Sequence, residues 1–218
     1  MKNFHDILKR VFDFALAIIF VLFFSPLISI IAIAVKIDSK GPIIFKQLRI
    51  GRNGKEFYIL KFRSMIVDAE KQGAGLFNFR NDPRVTKVGE LLRSTSLDEL
   101  PQVFNVIKGD MSFVGPRPPV NYELGNYNDF NENLKKRFRV KPGITGYAQT
   151  NGRNELSWDD KIIYDNQYIQ DFYKWGILLD IKVLIITIYK VFKNEGGYEL
   201  EANYEKDNAR SIDIESKK

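Results

Sequence analysis

The feature of this chain that most constrains its structure is an uncharged apolar stretch close to the N-terminus. The stretch runs from Phe14 to Val35 and contains 22 residues without a charged side chain. As one straight helix it would be about 33 Å long, which is enough to cross the hydrocarbon core of a membrane. The sequence therefore predicts that this part of the chain enters a lipid bilayer.

Two further observations favour a helix that enters and leaves the membrane on the same side. Ser25-Pro26 lies near the middle of the stretch, and proline inside a helix removes a hydrogen bond and costs about 3 kcal/mol. Both flanks are basic, so the positive-inside rule does not assign the two ends to opposite compartments. A re-entrant membrane helix over residues 1–36, broken at Ser25 and Pro26, satisfies both observations. The basic residues are Lys2, Lys9 and Arg10 before the stretch and Lys36, Lys40, Lys46 and Arg49 after it.

Two other interpretations of the stretch stay open. One is a proline-kinked transmembrane helix, because membrane helices tolerate proline. The other is a cleaved signal peptide, which the small residues Ala32 and Ala34 suggest, although the apolar stretch is longer than a typical signal sequence.

Composition limits the chemistry that the chain can perform. Its 218 residues include no cysteine, which excludes disulfides, thiolate nucleophiles and cysteine-based zinc sites. The single histidine is His5, beside the N-terminus, so the usual general base is missing from the rest of the chain. Catalysis would depend on carboxylates, lysine or arginine, hydroxyls, or a metal bound by oxygen. The net charge of +6, together with the apolar stretch, indicates anionic lipid and phosphorylated substrates rather than nucleic acid.

Patterning after the apolar stretch predicts an α/β fold with a small globular domain over residues 37–193. Alternating apolar and polar residues around Gly51-Arg52-Asn53-Gly54 predict a short antiparallel hairpin. Ser157 is placed as the N-cap of a later helix. The predicted order is a hairpin at 42–62, a short helix and loop at 63–84, two helices at 85–108 that meet at Ser94-Thr95-Ser96, a non-helical segment at 109–119, a polar helix at 120–138, a loop, and a helix at 157–174.

The last part of the chain divides into an apolar helix and a polar tail. Residues 175–193 are strongly apolar but contain Asp180 and Lys182, which favours an amphipathic helix at a membrane interface; a buried core helix is the alternative. Residues 194–218 are polar and without periodicity, which predicts a disordered tail.

One candidate site lies in the sequence RSTSLDELPQ, Arg93 to Gln102. Ser96 and Glu99 have the spacing of a capping box, which would place Asp98 and Glu99 in the first turn of a helix. Acidic residues there can act only to stabilise the helix. The same position also attracts phosphate, favours an ionised and nucleophilic carboxylate, and lets two adjacent carboxylates hold Mg²⁺. The string by itself leaves both interpretations open.

A second candidate is Arg117, which lies between Pro116 and Pro118 in MSFVGPRPP. The prolines fix the backbone on both sides of the guanidinium, which suits recognition of phosphate, although a rigid turn with a solvated arginine is also possible. The strings KFRSM, with Lys61 and Arg63, and VKPGITGYAQTNGR, over 140–153, add cations and glycines.

Taken together, these strings resemble those of the small monotopic bacterial phosphoglycosyl transferases, the bacterial sugar transferase family that primes glycan assembly on a polyprenyl carrier. The resemblance covers roughly residues 4–193 and is strongest to the minimal members, which initiate protein glycosylation; longer relatives carry further N-terminal membrane helices. The matching elements, in order, are the helix with Ser25-Pro26, KFRSM, RSTSLDELPQ, GDMSFVGPRP and KPGITGYAQTNGR.

The resemblance implies a role for several residues. Asp98 matches the nucleophilic aspartate of the family, and Glu99 matches its partner, which is associated with Mg²⁺ or Mn²⁺. Arg93 and Arg117 match arginines that we assign to substrate phosphates. Lys61 and Arg63 are further substrate-binding candidates, and Ser25 and Pro26 match the motif that breaks the membrane helix.

The resemblance also implies the reaction and its location. A sugar-1-phosphate would pass from a UDP-sugar through an aspartyl-phosphosugar to polyprenyl (undecaprenyl) phosphate, with release of UMP. The site would face the cytoplasm at the bacterial inner membrane, in possible association with downstream glycosyltransferases and without nucleic acid. Two rival functions remain: a membrane glycosyltransferase that releases UDP, and a membrane-anchored scaffold in which Asp98 and Glu99 only stabilise a helix. The sugar is open, with N-acetylated or deoxyamino sugars, galactose and glucose all compatible.

Overall fold

The structure, a computed structural model, describes residues 2–69, 72, 82–152 and 156–193. The described residues form helices and two small two-stranded sheets, which agrees with the predicted α/β class. The predicted tail at 194–218 lies outside the described residues. The helices are α1 (Lys2–Asp38), α2 (Lys87–Ser94), α3 (Gln102–Lys108), α4 (Glu132–Lys136), α5 (Tyr147–Thr150), α6 (Trp158–Trp175) and α7 (Ile177–Lys193), and the strands are β1 (Ile44–Ile50), β2 (Glu56–Phe62), β3 (Ser112–Val114) and β4 (Gly143–Thr145).

The predicted hairpin is confirmed. Strands β1 and β2 pair antiparallel, from Ile44 opposite Phe62 to Ile50 opposite Glu56, and a single 3₁₀ turn at Arg52–Gly54 joins them. Side chains alternate along β2, where Phe57 and Ile59 are buried and Tyr58 is exposed. The hairpin therefore turns one face of β2 towards the core.

A second, parallel sheet of β3 and β4 was not predicted. Ser112 pairs with Gly143 and Val114 with Thr145. The two backbones approach so closely that a Cβ on Gly143 would lie 2.1 Å from the Gly115 nitrogen, so only glycine fits there. Because each strand has three residues and lies beside proline, neither shows the alternating pattern by which strands are recognised.

Helix α1 lies along the globular domain and contacts it over most of its length. Its first half packs Leu16, Ala17 and Phe20 into a core cluster that also contains residues of α3, β3, α6 and α7. Its second half packs Ile31 and Val35 into a second cluster. The helix is continuous through Pro26, so Ser25-Pro26 does not divide it into separate helices. By length and composition it is the one helix in the described part of the chain that could cross a membrane.

Polar contacts fasten both ends of α1 to the domain. Near the start, Lys9 forms an ion pair with Asp180 of α7, and Asp13 accepts a hydrogen bond from the Phe113 nitrogen at 3.2 Å. At the other end, Asp38 accepts from the Val88 nitrogen of α2 at 3.1 Å. These side chains are spaced over nearly the whole helix, so both of its ends belong to the same domain.

The C-terminal helices follow the sequence prediction. The Ser157 side chain accepts a hydrogen bond from the Asp160 nitrogen and caps α6 as expected. Helix α7 buries one face in the core and exposes an apolar face on the opposite side, and its place at a membrane interface stays a prediction. The buried residues include Leu179, Asp180 and Val183, and the exposed ones include Leu178, Ile181, Ile185 and Ile188.

One predicted helix differs in the structure, and another lies mostly outside the described residues. Within the described part of 63–84, Met65 forms an isolated bridge with Val85, residues 67–68 form a turn, and Ala69 is in a 3₁₀ conformation. The polar helix predicted at 120–138 is shorter. It is interrupted by turns and by 3₁₀ segments at Tyr127–Asp129 and Arg137–Arg139, and Asn131 caps the remaining α4.

Candidate functional site

Asp98 and Glu99 lie in a short connection between two helices. The segment Leu97–Glu99 is a single 3₁₀ turn between α2 and α3, and both carboxyl side chains are largely buried. The predicted capping box is wrong: Ser96 adopts a left-handed conformation (φ 58°) and makes no capping hydrogen bond with its side chain. Thr95 and Ser96 form a turn between α2 and the 3₁₀ segment, and the two carboxylates follow this turn rather than a side-chain cap.

Two cations converge on Glu99 from separate elements. Lys61, near the end of β2, donates from Nζ to Glu99 Oε1 at 2.8 Å. Arg117, in the loop after β3, places Nη2 at 3.3 Å and Nη1 at 3.4 Å from the same oxygen. The structure therefore brings together four of the predicted site residues, because the charge of neighbouring Asp98 also acts on Lys61 and Arg117.

The electrostatics of these cations differ. Burial lowers the pKa of Lys61 below the usual lysine value, and Glu99 offsets this in part. The Glu99 carboxylate raises the pKa of Arg117 above its usual value, against the effect of burial. Arg117 therefore keeps its charge at any ordinary pH, whereas Lys61 gives up its proton more readily than an exposed lysine.

Arg63 and Arg93 lie in other surroundings. Arg63 is buried, and its guanidinium donates to main-chain oxygens at the C-terminal end of α1, namely Val35 and Ser39, and to Pro42. These contacts join β2 to α1 and do not reach Glu99, so Arg63 has a structural position. The Arg84 side chain, which pairs with Asp82, holds the pKa of Asp82 below its usual value, and the charge of Arg93, in the last turn of α2, adds a smaller effect in the same direction.

The sequence analysis did not identify one buried residue beside the site, Asn105. Asn105 of α3 accepts from the Leu60 nitrogen at 3.0 Å and donates to the Tyr58 oxygen at 2.8 Å. These bonds fix the strand that carries Lys61 against the helix that follows Glu99. The available signal was an asparagine inside the apolar run VFNVI, where a buried amide must find polar partners.

The carboxylates fit a hard divalent cation. Mg²⁺ is bound in proteins by one or two carboxylates together with substrate phosphates and water, and Asp98 and Glu99 supply two. The described residues contain no group of three or more acidic or histidine side chains that could hold an ion by themselves. A metal here would therefore depend on oxygens from a phosphorylated substrate. The set of carboxylates and cations is suited to phosphoryl chemistry.

Comparison with known proteins agrees with this chemistry. The profile of the bacterial sugar transferase family matches residues 4–194, and the chain belongs to that family. It is 45% identical over 203 residues to the UDP-glucose:undecaprenyl-phosphate glucose-1-phosphate transferase of Escherichia coli (strain K12), covering 91% of this chain and 43% of the relative. It is 40% identical to the undecaprenyl-phosphate galactose phosphotransferase of Salmonella typhimurium, covering 88% and 42%.

A shorter relative matches over most of its own length. The uncharacterized sugar transferase EpsL of Bacillus subtilis is 43% identical over 190 residues, which is 87% of this chain and 90% of the relative. By contrast, the chain spans less than half the length of the Escherichia coli and Salmonella proteins.

Proposed function

We propose that the protein transfers a sugar-1-phosphate from a UDP-sugar to polyprenyl phosphate, with release of UMP. The observation that carries this proposal is the convergence of Lys61 and Arg117 on Glu99, beside Asp98, in a member of the bacterial sugar transferase family. The names of the related enzymes support undecaprenyl phosphate as the acceptor.

In the first half of the reaction, an Asp98 carboxylate oxygen attacks the β-phosphorus of the UDP-sugar. The bond from that phosphorus to the bridging oxygen breaks, UMP leaves with the bond's electron pair, and an aspartyl-phosphosugar forms. Arg117 and Lys61 bind the diphosphate oxygens and offset the charge that develops on them. Mg²⁺ (or Mn²⁺), held by Glu99 and Asp98 with the diphosphate, would supply further charge neutralisation.

In the second half, a polyprenyl phosphate oxygen attacks the phosphorus of the intermediate. The bond to Asp98 breaks, the carboxylate is regenerated, and polyprenyl diphosphate-sugar is the product. The acceptor phosphate lies at the depth of the lipid headgroups, so the site must be held at the membrane surface. The apolar exposed sides of α1 and α7 are suited to that position.

The proposed topology is re-entrant, with both ends of α1 on the cytoplasmic face of the bacterial inner membrane. Both ends of the helix contact one globular domain, through the Lys9–Asp180 ion pair and the hydrogen bond from the Val88 nitrogen to Asp38. A straight span would require the ends to lie on opposite sides of the bilayer. The predicted division into a membrane helix (1–36), a catalytic domain (37–193) and a tail (194–218) belongs to the same proposal.

The names of the relatives suggest the first sugars to test. The Escherichia coli enzyme is named for UDP-glucose and the Salmonella enzyme for galactose. A panel of UDP-glucose, UDP-galactose and an N-acetylated UDP-sugar covers the proposed donors. The polyprenyl diphosphate-sugar would then pass to glycosyltransferases that extend it.

The test uses the full chain in detergent or nanodiscs with Mg²⁺. With a suitable UDP-sugar alone, the protein should release about one equivalent of UMP and gain a phosphosugar on the peptide that contains Asp98. Asp98→Asn should lower turnover by several orders of magnitude while membrane binding is retained. Release of UDP, or UMP release only when polyprenyl phosphate is added, would contradict the covalent mechanism.

A further inference from the structure

The loop that carries Arg117 is held at every main-chain oxygen from Pro116 to Pro119. Three of these four residues are prolines, so the segment offers a single main-chain N–H and depends on its carbonyl groups for fixation. Two of the donors are main-chain nitrogens and two are arginine side chains. Gly143 N donates to Pro116 O at 2.9 Å, Arg137 Nη2 to Arg117 O at 2.7 Å, Arg49 Nη1 to Pro118 O at 2.9 Å, and Ile50 N to Pro119 O at 3.1 Å.

Arg137 is the more deeply placed of the two arginines. Its side chain is 1% exposed and forms an ion pair with the equally buried Asp165 of α6, through Nη2 at 2.7 Å and Nε at 2.9 Å. The rings of Phe138 and Trp158 lie 5.3 Å and 5.0 Å from its guanidinium carbon. A buried ion pair contributes little net stability compared with apolar residues of the same volume. The Arg137–Asp165 pair differs from an ordinary buried ion pair because Arg137 also donates a hydrogen bond to the main-chain oxygen of Arg117.

Arg49 connects the same loop to the hairpin. It lies on β1, forms an isolated bridge with Val120, and donates to both Pro118 O and the Gln47 side chain. Strand β2, its partner in the hairpin, carries Lys61. Arg49 therefore ties the element that carries Arg117 to the element that carries Lys61, the two cations that meet at Glu99.

The Arg117 side chain requires such support. Its two distances to Glu99, 3.3 Å and 3.4 Å, are longer than those of a strong charge-assisted hydrogen bond, and about a third of the side chain is exposed. The ion pair with Glu99 alone does not fix the guanidinium. Its position therefore also depends on the main chain from which it extends.

We infer that Arg137 and Arg49 are positioning residues that hold the main chain on both sides of Arg117, so that its guanidinium meets the diphosphate of the donor. This role rests on the proposed function, and it is separate from substrate contact, because the hydrogen bonds donated by Arg137 Nε and Nη2 and by Arg49 Nη1 and Nη2 all end on protein oxygens. Asp165 contributes to the same positioning, since its carboxylate pairs with the Arg137 guanidinium and holds it in place.

The test compares Arg137→Lys and Arg49→Gln with matched controls at exposed arginines of the same local elements. Arg139→Gln changes the 3₁₀ segment that contains Arg137, and Arg52→Gln changes the turn after β1; the control side chains are 62% and 41% exposed and form surface ion pairs. The Arg137→Lys substitution retains a positive charge that can still pair with Asp165. We expect kcat/KM for the UDP-sugar to fall about 10- to 100-fold in the two test variants and to change less than about twofold in the controls.

A double-mutant cycle with Arg117→Lys separates positioning from a general structural effect. If Arg137 and Arg49 act through the Arg117 guanidinium, their substitutions should cost less than about threefold once Arg117 is replaced. A loss of stability would instead lower activity by the same factor in both backgrounds, and that result would overturn the inference. Melting temperatures of all variants report the folded state, and Arg49→Gln carries the test if Arg137→Lys does not fold. Wild-type protein that releases no UMP would overturn the proposed function itself.

Discussion

At the scale of single residues, Lys61 has the property that is easiest to measure. Its pKa is lowered by burial, so it loses its proton at a lower pH than an exposed lysine. If the ammonium binds donor phosphate, kcat/KM should fall with rising pH, with a midpoint below the ordinary lysine pKa of 10.5. Lys61→Arg should move this alkaline limb to higher pH, because guanidinium does not titrate in this range. The pH profile of kcat/KM in both proteins, with exposed Lys55→Arg as the control, checks this. An identical limb in Lys61→Arg would assign it to another group.

A second prediction about individual residues is that turnover requires a divalent cation bound by Asp98 and Glu99. Asp98 and Glu99 offer oxygen ligands, and the chain has no cysteine and a single histidine at position 5, so a hard cation is expected. EDTA should abolish UMP release, and Mg²⁺ or Mn²⁺ should restore it. Glu99→Gln should raise the Mg²⁺ concentration required for half-maximal turnover. Full turnover in excess chelator would remove the metal from the mechanism.

The candidate site came from the sequence through the ordered motifs of the family rather than through any single string. Taken alone, the strings left a capping role for Asp98 and Glu99 and a solvated Arg117 open; the structure places Lys61 and Arg117 against Glu99, and the roles of these residues stay predictions. Arg63 could not be separated from them, because the same guanidinium that binds phosphate also satisfies main-chain carbonyls at a helix end. Whether Ser96 caps a helix or forms a left-handed turn depends on its backbone angles, which residue spacing does not determine.

At the scale of secondary-structure elements, α1 gives a prediction about topology. Both of its ends contact the same domain, so we expect residues at positions 3 and 40 to face the cytoplasm. The chain has no cysteine, so Asn3→Cys and Lys40→Cys each create a unique site for a membrane-impermeant thiol reagent. Neither should be labelled from the periplasmic side of intact spheroplasts, and both should react after lysis. Periplasmic labelling at 3 with cytoplasmic labelling at 40 would establish a spanning helix.

Substitution of Ser25 and Pro26 tests whether these two residues influence the topology of α1. Replacing both with leucine restores a main-chain N–H in the middle of α1 and makes the apolar stretch uniform. The change should shift part of the population towards a spanning helix, measured by the same labelling at position 3. Unchanged labelling would show that the contacts at the two ends, rather than Ser25-Pro26, determine the course of the helix.

Element prediction succeeded where local pattern decides structure and failed where tertiary contact does. The hairpin and the Ser157 cap follow from turn residues and spacing within a few positions. The parallel pairing of Ser112–Val114 with Gly143–Thr145 joins segments about thirty residues apart, through glycines whose role is close backbone approach. No periodicity within either segment indicates such a pair.

At the scale of the whole molecule, apolar surfaces on separate elements are expected to contact lipid together. Helix α1 exposes large apolar side chains along much of its length, and α7 exposes several on the face opposite its core contacts. Trp175 lies at the junction of α6 and α7 and is 57% exposed, whereas Trp158 is 6% exposed. Exposed tryptophan beside an apolar helix is typical of the membrane–water interface. The fluorescence of Trp175 can therefore report the position of the membrane surface, with the buried Trp158 as an internal control.

Tryptophan fluorescence in vesicles that contain brominated lipids tests this position. These are the only two tryptophans of the chain, so Trp175→Phe leaves the buried Trp158 as the sole emitter. We expect the wild-type emission to be quenched, more strongly by bromines near the headgroup than by bromines near the chain end, because Trp175 lies at the interface. Trp175→Phe should lose most of this quenching while the melting temperature stays close to that of wild type, since the replaced ring is mostly exposed. Equal quenching in the two proteins, or none in either, would show that the junction of α6 and α7 does not lie at the lipid surface.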